Sequence, residues 1–175
     1  MNTGTKAVVS QNKMLTTIGY QINGKVNYAL DGSVFISGAA VQWLRDQLGI
    51  ISSASEIEAL AETVENNGGV TFITAMAGLG APYWDPHATA SIIGITRGTE
   101  KGHIARATLE AIAMRTKEIV IAMQKDAGIT FKSLKVDGGG STNNLLMQIQ
   151  SNLLDVNVIR PETTETTALG AALFA

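Results

Sequence analysis

The segment LKVDGGGSTNN, residues 134–144, joins a short β-prone run to a glycine turn and then to the start of a helix. Apolar spacing continues that helix to Leu154, a second β-prone run follows at residues 156–159, and another helix is predicted from Thr164. Strands that alternate with helices favour a parallel sheet, because each helix carries the chain back to the start of the next strand. The segment therefore predicts an α/β architecture.

The N-terminal part of the chain has a different pattern. Short β-prone runs at residues 7–9, 15–18 and 26–30 are separated by turn signals such as Asn23-Gly24. Consecutive strands joined by short turns pair in the antiparallel sense. We therefore predict an antiparallel meander in this region.

Helices and strands alternate through the middle of the chain. The predicted elements are a strand at residues 34–36, helices over residues 39–48 and from Ser53 with a capping box to Glu56, strands at 70–76 and 91–95, and a helix over 103–125 closed by Gly128. The order of elements is that of the ribonuclease-H-like half-domain of the actin, hexokinase and sugar-kinase superfamily. The predicted fold is this α/β half-domain, a mixed sheet with helices on its faces.

Composition excludes several classes of function. The chain has 175 residues, of which 45% are hydrophobic, so it can form one domain with a sizeable core. Its net charge is −2 with scattered basic residues, which argues against nucleic-acid and membrane partners. It has no cysteine and only two distant histidines, His87 and His103, so no metal site is predicted. Without an apolar run long enough to cross a membrane, a cytoplasmic location is expected.

The glycine turn in residues 137–140 is the first candidate binding site. At a junction of strand and helix, backbone N–H groups and the positive helix end face a crevice where a nucleotide could rest. Gly139 would let a ligand approach the main chain, and Asn143 could offer a donor and an acceptor to a ribose or purine. The alternative is a structural turn in which Ser141 or Thr142 caps the helix. The pattern matches neither a dinucleotide fingerprint nor a P-loop, so both interpretations stay open.

A second candidate pairs Gly38 with Gln42, which share one face of a predicted helix, one turn apart. The alternative is an ordinary helix start with an exposed glutamine. The aromatic loop at residues 83–85 could form a binding edge, but an aromatic pair beside prolines is assigned here to local packing against the core.

No residue is predicted to be catalytic. Phosphoryl transfer to an alcohol needs a carboxylate to accept the hydroxyl proton, a metal shell and donors that hold the terminal phosphate. Asp85, Asp137 and Asp155 are isolated in the sequence, and Asp137 is expected to cap the glycine turn.

Several segments together resemble the glycerol kinases, a branch of the FGGY carbohydrate kinases. The resemblance covers essentially the whole chain and rests on residues 27–32, 37–46, 78–86, 106–113, 136–139 and 166–172. It implies that Gly38, Gln42, Gly139 and Asn143 contact an adenine nucleotide. One departure from the family pattern lies at residues 87–90, just after the aromatic loop.

The resemblance also implies an activity. It indicates the ATP-binding, C-terminal domain of an enzyme that transfers the γ-phosphate of ATP to glycerol and gives sn-glycerol 3-phosphate, with Mg²⁺ entering with the nucleotide. The family's phosphate-gripping loop, glycerol pocket and catalytic aspartate would lie before Met1, so the domain is expected to be truncated at both ends and inactive alone. Glycerol would bind only with the missing N-terminal domain, and the full-length enzyme is expected to be a homo-oligomer.

Two other interpretations remain open at this point. The chain could be a noncatalytic remnant or interaction module that keeps the fold without turnover. It could also be the C-terminal domain of another FGGY sugar kinase, since the residues that select the acceptor are not among these 175.

Overall fold

The computed structural model describes residues 1–174 as helices and strands joined by short loops. The α-helices are α1 (Gly38–Asp46), α2 (Glu56–Ala61), α3 (Lys101–Ala127), α4 (Asn144–Leu154) and α5 (Thr166–Phe174). The strands are β1 (Asn2–Gly4), β2 (Leu15–Ile22), β3 (Lys25–Asp31), β4 (Thr71–Ile73), β5 (Ser91–Ile93), β6 (Ser133–Lys135) and β7 (Asn157–Ile159).

The strands of the described residues form three separate ladders. β1, β3 and β2 form an antiparallel sheet in that spatial order, and β4 pairs antiparallel with β5. β6 and β7 pair in parallel, with Leu134 opposite Val158, as the alternation of strand and helix predicts. The antiparallel ladders thus lie within residues 2–93, and the parallel ladder lies in the C-terminal part of the chain.

Two of the predicted strands are wrong. Residues 7–9 have no strand conformation, and the first strand is instead β1, whose Asn2 lies opposite Ala29 of β3. Residues 34–36 are also irregular, because they pack against the aromatic loop: the Phe35 ring meets Trp84 edge-on at 6.1 Å between centroids. β propensity alone does not report such tertiary context.

Helix α3 lies at the centre of the structure. It begins at Lys101, after a capping box between Glu100 and His103, and Gly128 ends it with a φ of 65°. Its first half packs against α1, α2 and α4 through Leu109 and Ile112, its second half packs against the N-terminal sheet, and a third face covers β4. The long amphipathic helix predicted from the sequence therefore contributes buried side chains to three hydrophobic clusters.

The aromatic loop docks on α3, in keeping with the structural role expected for it. Arg115 donates to the carbonyl of Ala81 at 2.9 Å and stacks on the Tyr83 ring at 5.1 Å, while the Tyr83 hydroxyl donates to Glu118 at 3.1 Å. Burial and the neighbouring Glu118 carboxylate raise the pKa of Tyr83, so its phenol stays protonated and can donate. The Trp84 indole donates to the Lys13 carbonyl at 2.8 Å.

None of the helices in residues 1–174 combines the length and the apolar composition that a membrane crossing requires.

The N-terminal segment is fastened to α3 by one carboxylate. Asp126 accepts hydrogen bonds from the Ser10 hydroxyl at 2.5 Å, the Gln11 amide at 2.8 Å and the Asn12 side chain at 2.7 Å. Burial raises the pKa of Asp126, but these hydrogen bonds outweigh it and hold the pKa below the usual aspartate value. The ionised form is therefore the one that stabilises this contact.

We predict that Asp126→Asn lowers the free energy of unfolding by about 2 kcal/mol at neutral pH, because the donors of Ser10, Gln11 and Asn12 lose a charged acceptor. Because the pKa of Asp126 is lower in the folded than in the unfolded protein, its carboxylate stabilises the fold fully above the unfolded pKa, about pH 4. This stabilisation is lost as the pH falls through the folded pKa. Denaturant unfolding at several pH values measures this difference. Asp155→Asn is the matched control, because Asp155 is exposed at the end of α4. A wild-type advantage that persists unchanged in acid would contradict the assignment.

Candidate functional site

One cavity brings together all four residues that the sequence singled out for nucleotide contact. Its volume is about 450 Å³, and it lies between the N-terminal ends of α1, α2 and α4, with α3 beneath it. Gly38 and Gln42 line it from α1, and Gly139 and Asn143 line it from the glycine turn before α4. Segments a hundred residues apart in the chain therefore face one another across the same space.

Helix α1 presents Gln42 to the cavity because its opposite face is anchored in the core. Ala40 and Leu44 are fully buried, and Val41 belongs to the cluster that α1 shares with α3. Gln42 is exposed, and its amide makes no hydrogen bond to the residues that the structure describes. Its donor and its acceptor are both available to a ligand.

The glycine turn is more ordered than its composition suggests. Gly138 has a φ of 76°, which favours glycine, and residues Gly139–Thr142 form a 3-10 turn. The alternative in which Ser141 or Thr142 caps the helix is wrong: their hydroxyls donate back to carbonyls of the turn, both at 2.7 Å. Asn143 is the N-cap instead, and its Oδ1 accepts from the Leu146 amide at 2.7 Å. Capping occupies that oxygen, so the side-chain NH2 is the group that Asn143 has left for a ligand.

The cavity wall is bare backbone at three glycines. A Cβ atom built on Gly38, Gly139 or Gly140 would meet no other atom within 4 Å. The fold therefore has room for a side chain at each of these positions. Because all three glycines line the cavity, their main chain is open to close approach by a ligand.

The interior of the cavity is apolar. Its apolar lining comes from Val41, Ile57, Leu109, Ile112 and Leu146. An apolar pocket with a few polar groups at its edge is a common setting for a flat heteroaromatic ring. Sequence reasoning missed these lining residues, because their spacing also fits ordinary core positions on amphipathic helices.

Two charged side chains also line the cavity, Arg45 and Glu58. Arg45 pairs with Asp46 at 2.6 Å; this hydrogen bond and the carboxylate charge raise the pKa of Arg45, and the same hydrogen bond lowers the pKa of Asp46. Glu58 Oε1 accepts from the backbone amides of Asn144 and Leu145, each at 3.0 Å. The expectation that free amides at the positive helix end would face the ligand is therefore corrected, because Glu58 occupies them.

The isolated acids lie away from this cavity. Asp137 lines a second cavity of about 390 Å³ and accepts a hydrogen bond from the Thr166 hydroxyl, which ties the glycine turn to α5. Asp85 accepts from the His87 amide at 2.9 Å within the aromatic loop. Among the residues that the structure describes, no three His, Cys, Asp or Glu side chains lie close enough together to hold a metal ion.

Comparison with known proteins identifies relatives along the entire chain. The profile of the C-terminal domain of the FGGY family of carbohydrate kinases matches residues 1–175. The glycerol kinase of Deinococcus radiodurans is 61% identical over 100% of this chain and 35% of its own length, and glycerol kinase 2 of Thermotoga maritima is 59% identical with the same coverage. The chain spans about a third of the length of the curated relatives it matches.

Solved structures agree with the sequence comparison. The crystal structure of Plasmodium falciparum glycerol kinase with ADP superposes with a TM-score of 0.90 at 41% identity, covering 100% of this chain and 35% of that one. A ligand-bound xylulose kinase from Lactobacillus acidophilus has a TM-score of 0.79 at 20% identity over 97% of this chain and 34% of its own, which speaks for the fold alone. The predicted ribonuclease-H-like half-domain and the resemblance to glycerol kinases are confirmed.

We predict that Gly139→Val leaves the fold intact, because the new side chain would enter open space. Gly94→Val should instead unfold the protein or lower its melting temperature steeply: Gly94 has a φ of 83°, and its Cβ would lie 2.0 Å from the Gly69 carbonyl oxygen. Thermal unfolding followed by circular dichroism compares the two variants. Equal destabilisation would show that the open wall at Gly139 is not as described.

Proposed function

Because this chain belongs to the FGGY family of carbohydrate kinases, we propose that its 175 residues form the nucleotide-binding part of an ATP:glycerol phosphotransferase. The observation that carries this proposal is the convergence of Gly38, Gln42, Gly139 and Asn143 on one cavity with an apolar interior. The names of the curated relatives and the ADP in the Plasmodium falciparum structure support the choice of glycerol and of an adenine nucleotide.

The adenosine half of the nucleotide is the part that this cavity fits. The purine would lie between the apolar side chains, with the amides of Gln42 and Asn143 at its polar edge or at the ribose. The bare backbone of Gly139 and Gly140 would allow close approach of the ligand. The triphosphate would extend out of the cavity, since Glu58 already occupies the amides at the start of α4.

In the proposed reaction a hydroxyl oxygen of glycerol bonds to the γ-phosphorus of ATP while the bond from that phosphorus to the ADP oxygen breaks. The products are sn-glycerol 3-phosphate and ADP, and the hydroxyl proton passes to a base. Asp85 and Asp137 lie outside the cavity in local contacts of their own, and Glu58 at the cavity is held by the amides of α4. We therefore assign the base, the phosphate donors and the glycerol pocket to another part of the whole enzyme.

The donor set does not fit a resident metal ion. The carboxylate that lines the cavity, Glu58, stands without a second acid beside it there. We propose that Mg²⁺ enters with ATP, held by the phosphates, and that the whole enzyme works in the cytoplasm, where ATP is available. Assembly into a homo-oligomer stays a prediction of the family resemblance.

Adenine nucleotides should bind the 175-residue chain weakly, with ADP and ATP nearly equal, because the cavity contacts adenosine and leaves the phosphates outside. Gly139→Val should abolish this binding while the protein stays folded, since its side chain fills space that the nucleotide needs. Isothermal titration or NMR titration measures the effect.

The matched control is Gly98→Val, which places the same side chain in an exposed loop outside the cavity. Gly98→Val should bind as the unsubstituted chain does. Identical titrations for all three proteins would contradict the proposed site.

The 175 residues alone should not phosphorylate glycerol at a detectable rate, because the two charged side chains at the cavity are already engaged: Glu58 accepts from the α4 amides and Arg45 pairs with Asp46. Release of ADP from Mg-ATP in the presence of glycerol measures the reaction on highly purified protein. Turnover that survives rigorous removal of contaminating kinases, and that Gly139→Val removes, would overturn this division of roles.

A further inference from the structure

We propose that Glu58 is a positioning residue for the nucleotide, because its carboxylate joins α2 to the first turn of α4 and fixes the wall that carries Gly139 and Asn143. The inference rests on the proposed function, since it concerns the same cavity. It also goes beyond the family resemblance, because Glu58 lies outside every segment on which that resemblance was based.

The connection consists of two hydrogen bonds to a single oxygen. Glu58 Oε1 accepts from the Asn144 amide and the Leu145 amide, each at 3.0 Å, across 86 and 87 residues of chain. The first amides of a helix have no partner within the helix, and a carboxylate is a strong acceptor for them. The contact therefore stabilises the start of α4 in one position relative to α2.

Helix α2 is a firm support for this carboxylate although it has only six residues. Ile57 is 2% exposed and Ala61 is fully buried, and both belong to the cluster that includes Leu109 of α3 and Leu146 of α4. The residue immediately before Glu58 is thus packed against the same core as α4. Movement of Glu58 away from α4 would require this packing to open.

The next amide of α4 completes the arrangement and involves a predicted ligand-contacting residue. Asn143 Oδ1 accepts from the Leu146 amide at 2.7 Å, so three successive amides each have a side-chain acceptor. The backbone N–H of Asn143 also donates to the Gly140 carbonyl at 3.4 Å, which links the capping residue to the glycine turn. Glu58 therefore holds the first turn of α4, and that turn holds the orientation of the Asn143 side chain.

The charge of Glu58 has a consequence for what the cavity accepts. A carboxylate at the N-terminus of α4 offsets the positive end of the helix, which otherwise attracts phosphate. The uncharged nucleoside, rather than the phosphate chain, is therefore the part of the ligand that fits next to this wall. Glu58 contributes to binding through the geometry of Asn143 and not through attraction of the phosphates.

Adenosine is the probe that tests this role, because it reports on the cavity without the phosphates. Its affinity for the 175-residue chain is measured by calorimetry or NMR at a temperature at which every variant is folded. Glu58→Ala should bind about tenfold more weakly, because the α4 amides lose their acceptor and Asn143 its fixed orientation. Glu58→Gln should stay within about twofold of the unsubstituted chain, because its amide oxygen still accepts from both N–H groups.

Two further measurements separate positioning from a general loss of stability. Hydrogen exchange of the Asn144 and Leu145 amides should accelerate in Glu58→Ala and not in Glu58→Gln. In an Asn143→Ala background, Glu58→Ala should weaken adenosine binding little further, because Glu58 acts through Asn143. Glu62→Ala, one turn further along and exposed, is the matched control and should change none of these quantities.

The outcomes distinguish this inference from the proposed function. A lowered melting temperature in Glu58→Ala with unchanged adenosine affinity would overturn the positioning role. Equal loss of affinity in Glu58→Gln and Glu58→Ala, with α4 exchange unchanged, would overturn it too, since Glu58 would then contact the ligand directly. If the unsubstituted chain binds neither adenosine nor ADP, the proposed function fails, and this inference fails with it.

Discussion

Burial of α3 on several faces at once is the constraint on which the rest of the structure depends. The helix has 27 residues, and its buried positions are mostly alanine and larger apolar side chains. Small residues let neighbouring elements approach closely: a Cβ on Gly102 would lie 2.5 Å from Thr63 Oγ1 and 3.0 Å from the Leu60 carbonyl. Apolar burial on this scale is the main favourable contribution to folding, and here it also fixes where each neighbouring helix lies.

The cavity follows from that packing. Helices α1, α2 and α4 share one hydrophobic cluster with the first half of α3, and their N-terminal ends meet above it without filling the space between them. Glycines 38, 139 and 140 leave bare backbone along this space, with no side chain to cover it. A binding site built on rigid helix starts needs little rearrangement to receive its ligand, which limits the entropy cost of binding.

Local signals in the sequence account for most of the fold and for part of the site. The Gly128 end of α3 and the parallel β6–β7 pair follow from periodicity and turn chemistry. Family resemblance, rather than periodicity, selected the four ligand-contacting residues. Sequence reasoning did not identify Glu58, because a glutamate on a short helix is normally solvated and its hydrogen-bond partner Asn144 lies 86 residues away. The cap at Asn143 was missed because three consecutive residues, Ser, Thr and Asn, are all good caps, and only the 3-10 turn decides among them.

The central claim is that the side-chain amides of Gln42 and Asn143 meet the same nucleoside. The most direct measurement is an adenosine titration followed through side-chain NH2 signals in two-dimensional NMR. The Trp84 indole N–H is an internal reference, because it donates to the Lys13 carbonyl and does not line the cavity. Both amide signals should move along one saturation curve with a single dissociation constant, while the indole signal stays in place. Saturable shifts confined to other residues, or different dissociation constants for the two amides, would contradict the account.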